Sequence, residues 1–289
     1  MKIIIPMAGR GSRLRPQTLT TPKPLVSIAG TPILEQLVRD TVKLIDEAIE
    51  EIVFIIGDPL FFDKLVEENL KTLAKKYNAK VSIYRQLNPL GTGHAIMCAK
   101  NSLNGRAIVI YPDTLVKIEE KFDKNSDVVI WTKQVDNPEL YGVVKLNSNK
   151  EIIDLVEKPF KFVSDLAVIG IYYFKEISQL KDKLEIVIAN NNMSSGEYQI
   201  NDGLLAMMKE GRKFSVGKVI EWLDCGNVKK CVTANKTMLT FLEEDGVQLI
   251  SKKINLENSE IIPPCSIADG VIIKNSCVGP HVSIGLDSE

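Results

Sequence analysis

A glycine- and arginine-rich segment follows the first apolar run of the chain and has the composition of an anion-binding loop. Residues 7–16 read Met-Ala-Gly-Arg-Gly-Ser-Arg-Leu-Arg-Pro, with three arginines within six positions, and Lys23 lies a little further on. Glycines let backbone N–H groups approach a polyphosphate closely, and guanidinium groups pair with phosphate oxygens. The pattern predicts a loop that binds a nucleoside triphosphate.

Two common phosphate-binding loops do not fit this segment. The dinucleotide fingerprint needs a glycine where Leu14 stands, and the P-loop needs a Gly-Lys-Ser/Thr ending that is absent. A dinucleotide-dependent oxidoreductase is therefore disfavoured. A glycine turn after a strand is often only a turn, but the density of arginine makes phosphate binding the better interpretation.

Two carboxylates stand far apart in the chain. Asp113 follows the apolar run 107–111 after one proline, at the carboxyl end of a predicted strand, where open α/β sheets build their sites. An aspartate after a strand also commonly initiates a turn, so that alternative stays open. Together with Asp224 it would suit one Mg²⁺ ion that keeps several waters and bridges phosphate oxygens.

The motif Ala-Gly-x-Gly-x-Arg-Leu, followed by Pro16-x-Thr18 and Pro22-Lys23-x-Leu25, resembles the signature of the sugar-1-phosphate nucleotidyltransferases. This family includes glucose-1-phosphate thymidylyltransferases and mannose-1-phosphate guanylyltransferases, and further matches run to about residue 240. The resemblance implies in-line attack of a sugar phosphate on the α-phosphorus of a nucleoside triphosphate, with pyrophosphate leaving. Such a reaction needs no general base, which suits a chain whose only histidines are His94 and His281.

The resemblance also implies a role for particular residues. Arg13 and Lys23 would neutralise phosphate charge during transfer, and Asp113 and Asp224 would bind Mg²⁺. The nucleotide would contact Ala8, Gly9, Gly11, Ser12, Gln86, Gly91 and Thr92. The sugar would contact Tyr141, Gly142, Glu157, Lys158, Val168 and Glu197. Pro112 and Cys225 depart from the residues that the family commonly carries beside its two acidic ligands.

The segment 85–95 resembles the family's base-binding loop. The amide of Gln86 offers a donor and an acceptor, as the edge of uracil or thymine requires, although the Gly-Thr-Gly turn after it could equally serve as a helix cap. We therefore expect dTTP or UTP with glucose 1-phosphate as substrates. A mannose-1-phosphate guanylyltransferase and a non-catalytic regulatory relative that binds sugar nucleotides remain alternatives.

The composition is that of an ordinary globular protein. A formal net charge of -1 gives no basis for a nucleic-acid partner, and the N-terminal apolar run is too short for a signal segment or a membrane span. The odd number of cysteines, five, without a Cys-x-x-Cys pair fits reduced thiols in the cytoplasm. Homo-oligomer formation is left open.

The first half of the chain alternates apolar runs with amphipathic segments, which predicts a Rossmann-like α/β fold with a mixed, mostly parallel sheet flanked by helices. Predicted strands are 2–6, 51–56, 80–85, 106–111, 128–133, 142–146, 152–156 and 167–174. Predicted helices are 31–46, with Pro32 in its first turn, 59–77, 92–102, 177–189, 198–209 and 228–242. Residues 1–245 are expected to form the catalytic domain.

Residues 246–289 form a distinct tail in the sequence. Aliphatic and small residues recur at roughly six-residue spacing, as in hexapeptide β-helix repeats, and a few β-hairpins are the alternative. We expect little more than one turn of a left-handed β-helix from about residue 261. So short a coil cannot cover its own ends, so it should pack on the catalytic domain or on another subunit, or else continue in a longer natural chain.

Overall fold

The computed structural model describes residues 1–118, 121–194 and 196–289, which form two compact units. The sheet unit comprises Met1–Arg10, Val38–Pro112 and Val116–Trp222. The coil unit comprises Gly11–Leu37, Asp113–Leu115 and Leu223–Glu289. The predicted domain border at residue 245 lies inside the coil unit.

Helices and strands alternate through most of the chain. Helices lie at α1 (Ile33–Ile45), α2 (Lys64–Lys75), α3 (Thr92–Cys98), α4 (Ser178–Ala189), α5 (Ile200–Lys209) and α6 (Val228–Glu244). Strands lie at β1 (Lys2–Pro6), β2 (Ser27–Ile28), β3 (Thr31–Pro32), β4 (Glu51–Ile56), β5 (Lys80–Arg85), β6 (Ala107–Ile110), β7 (Thr114–Lys117), β8 (Val128–Gln134), β9 (Gly142–Leu146), β10 (Ile152–Glu157), β11 (Leu166–Phe174), β12 (Phe214–Lys218), β13 (Glu221–Asp224), β14 (Asn255–Glu257), β15 (Glu260–Ile261), β16 (Ser266–Ile267), β17 (Ile272–Lys274), β18 (Cys277–Val278) and β19 (Ser283–Ile284).

A mixed sheet forms the centre of the sheet unit. Its order is β5-β4-β1-β6-β11, and β11 then pairs with both β8 and β9. β8 pairs in turn with β12, and β9 pairs with β10. β1 runs parallel to β4 and β6, whereas β11 runs antiparallel to its neighbours. β1 and β4 are buried throughout because α2 and α3 pack against this part of the sheet. The predicted Rossmann-like fold is confirmed.

Four helices, α1, α2, α4 and α5, begin later than the sequence pattern predicted, and for α1 and α2 the structure shows the cause. α1 begins at Ile33 because Thr31 and Pro32 form β3, which pairs with β2, so the prediction of Pro32 in the first helical turn was wrong. α2 begins at Lys64 because Asp63 caps it: the Asp63 carboxylate accepts a hydrogen bond of 2.9 Å from the backbone N–H of Val66.

The C-terminal strands of the coil unit stack as parallel pairs. Asn255 pairs with Ile272, Glu260 with Cys277 and Ser266 with Ser283, so equivalent positions lie 17 residues apart, with three strands to a turn. Parallel pairing excludes hairpins, in which paired strands run antiparallel. The first turn starts with the bridge from Ile250 to Ile267, earlier than the predicted residue 261.

This coil is attached to α6, as expected for a stack too short to cover its own ends. The side-chain amide of Asn235 in α6 donates a hydrogen bond of 2.9 Å to the carbonyl of His281, and its oxygen accepts one of 2.8 Å from the Ser283 hydroxyl. The same oxygen accepts a hydrogen bond of 2.8 Å from the backbone of Ala29. Asn235 thus joins α6, the β2–β3 hairpin and the coil.

Among the helices of the described residues, none has the length and apolar character needed to span a membrane.

Gly217 provides a test of the packing in the sheet unit. It lies opposite the buried Trp131 in the β12–β8 pair, and a Cβ atom at this position would come within 2.6 Å of the indole ring. We expect Gly217→Ala to lower the free energy of unfolding by about 1–3 kcal/mol, which a lower midpoint in urea would reveal. Gly285→Ala is the control, since nothing lies within 4 Å of a Cβ there. Equal midpoints for the two variants would contradict this packing.

Candidate active site

In the coil unit, the phosphate-loop residues are built around Gly11. Its backbone is left-handed, with φ of +62°, and an added Cβ would come within 2.7 Å of the Cβ of Lys23. The Thr18 hydroxyl donates a hydrogen bond of 2.7 Å to the Gly11 carbonyl. Ser12 and Arg13 are exposed and lie in the 3₁₀ turn Ser12–Leu14 that follows. Glycine is therefore required at position 11 both for its backbone conformation and to admit Lys23.

In the sheet unit, Ala8 and Gly9 follow the carboxyl end of β1. The carbonyl oxygen of Ala8 lies so close to Gly57 that a Cβ at 57 would come within 2.6 Å of it. Gly9 is exposed, with nothing within 4 Å of the position that a Cβ would take. The backbone here is open to a ligand from the direction of Gly9.

The two predicted metal carboxylates lie at neighbouring strand ends in the coil unit. The backbone N–H of Cys225 donates a hydrogen bond of 2.9 Å to the Asp113 carbonyl, so Asp113 and Asp224 flank one point of strand pairing. Each carboxylate has a lysine partner. Lys23 Nζ lies 3.2 Å from Asp113 Oδ2, and Lys230 Nζ of α6 pairs with Asp224 Oδ2. We call Lys23, Asp113, Asp224 and Lys230 the charge cluster.

The donor chemistry of the charge cluster fits Mg²⁺. Hard carboxylate oxygens are what this ion prefers, and it commonly takes only one or two protein carboxylates together with waters and phosphate oxygens. Asp113 has a side chain that is 50% exposed, which leaves room for such partners. No group of three or more histidine, cysteine, aspartate or glutamate side chains that could hold a metal occurs within residues 1–118, 121–194 and 196–289. A two-carboxylate site therefore fits Mg²⁺ better than a metal that needs a complete protein cage.

Two cysteines lie beside the charge cluster. Cys225 is buried directly after Asp224, and Cys231 follows Lys230 on α6. Cys225 Sγ donates a hydrogen bond of 3.7 Å to the Leu223 carbonyl, and Cys231 Sγ donates one of 3.5 Å to the Cys225 carbonyl. The neighbouring Cys231 thiol and burial raise the pKa of Cys225, whereas the Cys225 thiol lowers the pKa of Cys231.

In the sheet unit, Gln86 is held by its own loop. Its amide nitrogen donates to the Gly91 carbonyl and to His94 Nδ1, both at 3.0 Å. Both amide hydrogens are thus used within the loop, and the carbonyl oxygen is the group that Gln86 can offer to a base. Burial lowers the pKa of His94, which keeps its Nδ1 neutral and able to accept.

Gly91 and Thr92 fix how this loop meets the start of α5. A Cβ on Gly91, whose φ is +110°, would come within 2.5 Å of the Tyr198 carbonyl oxygen. The Thr92 hydroxyl donates to Gln199 Oε1 at 2.9 Å and accepts from the backbone of Ile200 at 3.0 Å. Here Thr92 has a structural role, stabilising the N-terminus of α5. Glu197, expected near the sugar, lies next to Gly91 and accepts a hydrogen bond from Gln199.

The pairing of β9 with β10 brings most of the predicted sugar-binding residues together. Glu157 pairs with Gly142, and a Cβ on Gly142 would come within 2.8 Å of the Glu157 carboxylate. The backbone N–H of Lys158 donates to the Tyr141 carbonyl at 3.0 Å. Val168 lies on β11, one residue after the Ala167–Val143 pair. The Glu157 carboxylate and the Lys158 ammonium group are thus exposed beside Gly142.

Sequence reasoning missed three residues at these sites. Lys230 was not identified because its partner is known only once α6 is placed, and the contact of His94 with Gln86 was likewise not predicted. The ring of Trp222 packs edge-on against Tyr141 at 5.2 Å, and its buried indole N–H has no hydrogen-bond partner among the described residues. Its position two residues before Asp224 was the only signal available.

Comparison with known proteins decides the family. A profile described as nucleotidyl transferase matches residues 2–240. The chain belongs to the nucleotidyl transferase family. The resemblance that the sequence motifs carried is thereby confirmed.

The relatives of this chain carry several different names. The bifunctional protein GlmU of Methanococcus maripaludis is 32% identical over 96% of this chain, which spans 61% of the relative's length. Glucose-1-phosphate thymidylyltransferase of Streptomyces griseus is 28% identical over 99% of this chain and 83% of its own. A structure of UDP-glucose pyrophosphorylase complexed with UDP-glucose aligns with a TM-score of 0.68 and 25% identity over 83% of this chain and 98% of the other.

The burial of His94 predicts a pH dependence of stability. Since the pKa of His94 is lower in the folded protein than in the unfolded chain, the unfolded chain binds the proton first as pH falls below about 6.5, and stability is lost. His94→Asn keeps an acceptor near Nδ1 but cannot titrate. We expect the urea midpoint of the wild type to fall more steeply than that of His94→Asn between pH 7.5 and pH 5.5. An equal pH dependence of the urea midpoint in the two proteins would contradict the assignment of His94 Nδ1 as a neutral hydrogen-bond acceptor.

Proposed function

We propose that this protein transfers a nucleotidyl group from a nucleoside triphosphate to a sugar 1-phosphate and releases pyrophosphate. The observation that carries the proposal is the charge cluster, in which two strand-end aspartates and two lysines lie beside the glycine turn of Gly11. Such a cluster offers both a site for a hard cation and cationic groups for phosphate oxygens.

The residues act by positioning and by stabilising charge. Lys23 is held against Gly11 and paired with the Asp113 carboxylate. Its ammonium group can move from this carboxylate to a phosphate oxygen as negative charge builds on the phosphate. Arg13 is exposed on the adjacent turn, and its planar guanidinium group can donate two parallel hydrogen bonds to a second phosphate. Bound Mg²⁺, held by Asp113 and Asp224, would neutralise the phosphates and aid the departure of pyrophosphate.

The acceptor is proposed to be glucose 1-phosphate. Glu157 and Lys158 offer a carboxylate for sugar hydroxyls and an ammonium for the sugar phosphate, and Gly142 lets the ring approach the backbone. Their side chains, 58% and 65% exposed, are free to reorient. The acceptor phosphate is already anionic near neutral pH, so the attack requires no proton acceptor.

The base is proposed to be thymine or uracil. The Gln86 carbonyl oxygen accepts from a ring N–H, which thymine, uracil and guanine have and which adenine and cytosine lack. The choice of a pyrimidine over guanine is supported by the names of the Streptomyces griseus relative and of the UDP-glucose pyrophosphorylase structure. A mannose-1-phosphate guanylyltransferase is the second candidate, because the Gln86 oxygen suits guanine equally well.

The direct test is a matrix of dTTP, UTP, GTP and ATP against glucose, mannose and N-acetylglucosamine 1-phosphates, with pyrophosphate release as the readout. The proposal expects release with Mg²⁺ and the highest kcat/KM for dTTP or UTP with glucose 1-phosphate. Binding of a sugar nucleotide without release from any pair would support a regulatory relative instead.

Asp113→Asn and Asp224→Asn should each lower kcat by about 10²-fold or more, because each removes a proposed ligand of Mg²⁺ while conserving side-chain size. The exposed Asp245→Asn at the end of α6 is the matched control, for which we expect unchanged turnover. Circular dichroism checks that the fold is retained. Near-normal kcat at limiting Mg²⁺ in either site variant would remove that residue from the proposed ligand set.

Gln86→Ala should lower kcat/KM for dTTP and UTP by about 10- to 100-fold and leave the low rate with ATP unchanged, because the lost oxygen is proposed to pair with the ring N–H of thymine or uracil, which adenine lacks. Asn88→Ala, an exposed amide in the same loop, should leave both values unchanged. An unaltered order of preference in Gln86→Ala would show that the loop backbone or the Ala8 region selects the base.

A further inference from the structure

Cys225 and Cys231 form a thiol pair that the proposed reaction does not use. Cys231 Sγ donates a hydrogen bond of 3.5 Å to the Cys225 carbonyl oxygen, and Cys225 Sγ donates one of 3.7 Å to the Leu223 carbonyl oxygen. Both residues belong to the apolar core of the coil unit. The Cys231 thiol therefore lies against Cys225 within one packed core, and no covalent bond joins the two residues.

The two thiols differ in access. Cys225 is fully buried, whereas Cys231 lines a cavity of about 330 Å³ together with Leu14, Val26, Val228 and His281. A small oxidant can reach Cys231 through this cavity, and Cys225 can then react only through Cys231. This is the arrangement of an attacked cysteine with a resolving cysteine behind it.

We propose that Cys225 and Cys231 form a reversible intrachain disulfide when the protein meets a peroxide. Hydrogen peroxide oxidises the Cys231 thiol to a sulfenic acid and is reduced to water. The Cys225 sulfur then attacks the Cys231 sulfur, the S–S bond forms, and the sulfenic oxygen leaves as a second water with the proton from Cys225. A dithiol reductant reverses the reaction and is itself oxidised to a disulfide.

The disulfide would disturb the charge cluster. When an S–S bond of about 2.05 Å forms, both thiols must leave the backbone carbonyls to which they donate, so the end of β13 and the first turn of α6 must rearrange. Asp224 precedes one cysteine and Lys230 precedes the other, and these two residues form an ion pair. The first turn of α6 is also fixed by Asn227, whose side chain accepts a hydrogen bond of 3.0 Å from the Lys230 backbone. Oxidation is therefore expected to slow the proposed transfer reaction, and this part of the inference rests on the proposed function.

The covalent part is tested on the full chain by peptide mapping. The protein is treated with hydrogen peroxide, free thiols are alkylated, and the protein is digested with trypsin. Cleavage after Lys229 and Lys230 puts the two cysteines into separate peptides, so the disulfide appears as a linked pair. We expect this linked pair in the wild type and in Cys277→Ser, its loss in Cys231→Ser, and its reversal by dithiothreitol. Oxidation confined to Cys98 or Cys277, or Cys231 sulfinic acid without a linked peptide, would overturn the proposal.

The regulatory part is tested by pyrophosphate release before and after oxidation. We expect wild-type turnover to fall about tenfold or more and to recover with dithiothreitol, because small displacements at a transfer site are costly. Cys231→Ser should keep its turnover after the same treatment. A linked peptide with unchanged turnover would overturn the regulatory role. Absence of turnover in the reduced wild type would instead refute the proposed function, and the peptide map would still decide whether the disulfide forms.

Discussion

The structure of the coil unit depends on the compensation of charge around one strand pairing. The Cys225–Asp113 backbone hydrogen bond fixes two aspartates at adjacent strand ends, where like charges repel unless cations lie beside them. Lys23, only 11% exposed, in turn needs a nearby carboxylate to compensate for its burial. Gly11 admits Lys23, and α6 supplies Lys230. Loop, strands and helix thus meet at the charge cluster, and a divalent cation would fill the same electrostatic role as the two lysines.

Much of the fold follows from local sequence patterns. Strands β1, β4 and β5 have the predicted ends, and the runs at β1 and β4 are buried throughout. The helix starts were harder, since β3 at Thr31–Pro32 exists only because β2 pairs with it. That pairing also explains why Pro32 lies outside α1.

The candidate site could be predicted as a set of residues but not as a set of contacts. Gly11 and Lys23 are recognisable from spacing, yet their close approach depends on the path of the intervening turns. Thr92 resembles a nucleotide contact in the sequence, but its hydroxyl is used by Gln199 and Ile200, more than a hundred residues away. Gln86 has both of its amide hydrogens used by its own loop, which changes a donor-and-acceptor group into an acceptor. Partners so distant in the chain leave no periodic signal.

The most direct measurement of the central claim is Mn²⁺ binding, followed by water-proton relaxation, in the presence of a non-hydrolysable nucleoside triphosphate analogue. Mn²⁺ prefers the same hard oxygen ligands as Mg²⁺. The account predicts one tight site in the wild type that is weakened at least about tenfold in both Asp113→Asn and Asp224→Asn, and unaffected in Asp245→Asn. Equal Mn²⁺ affinity in the wild type and the two site variants would contradict the claim that the charge cluster holds the metal.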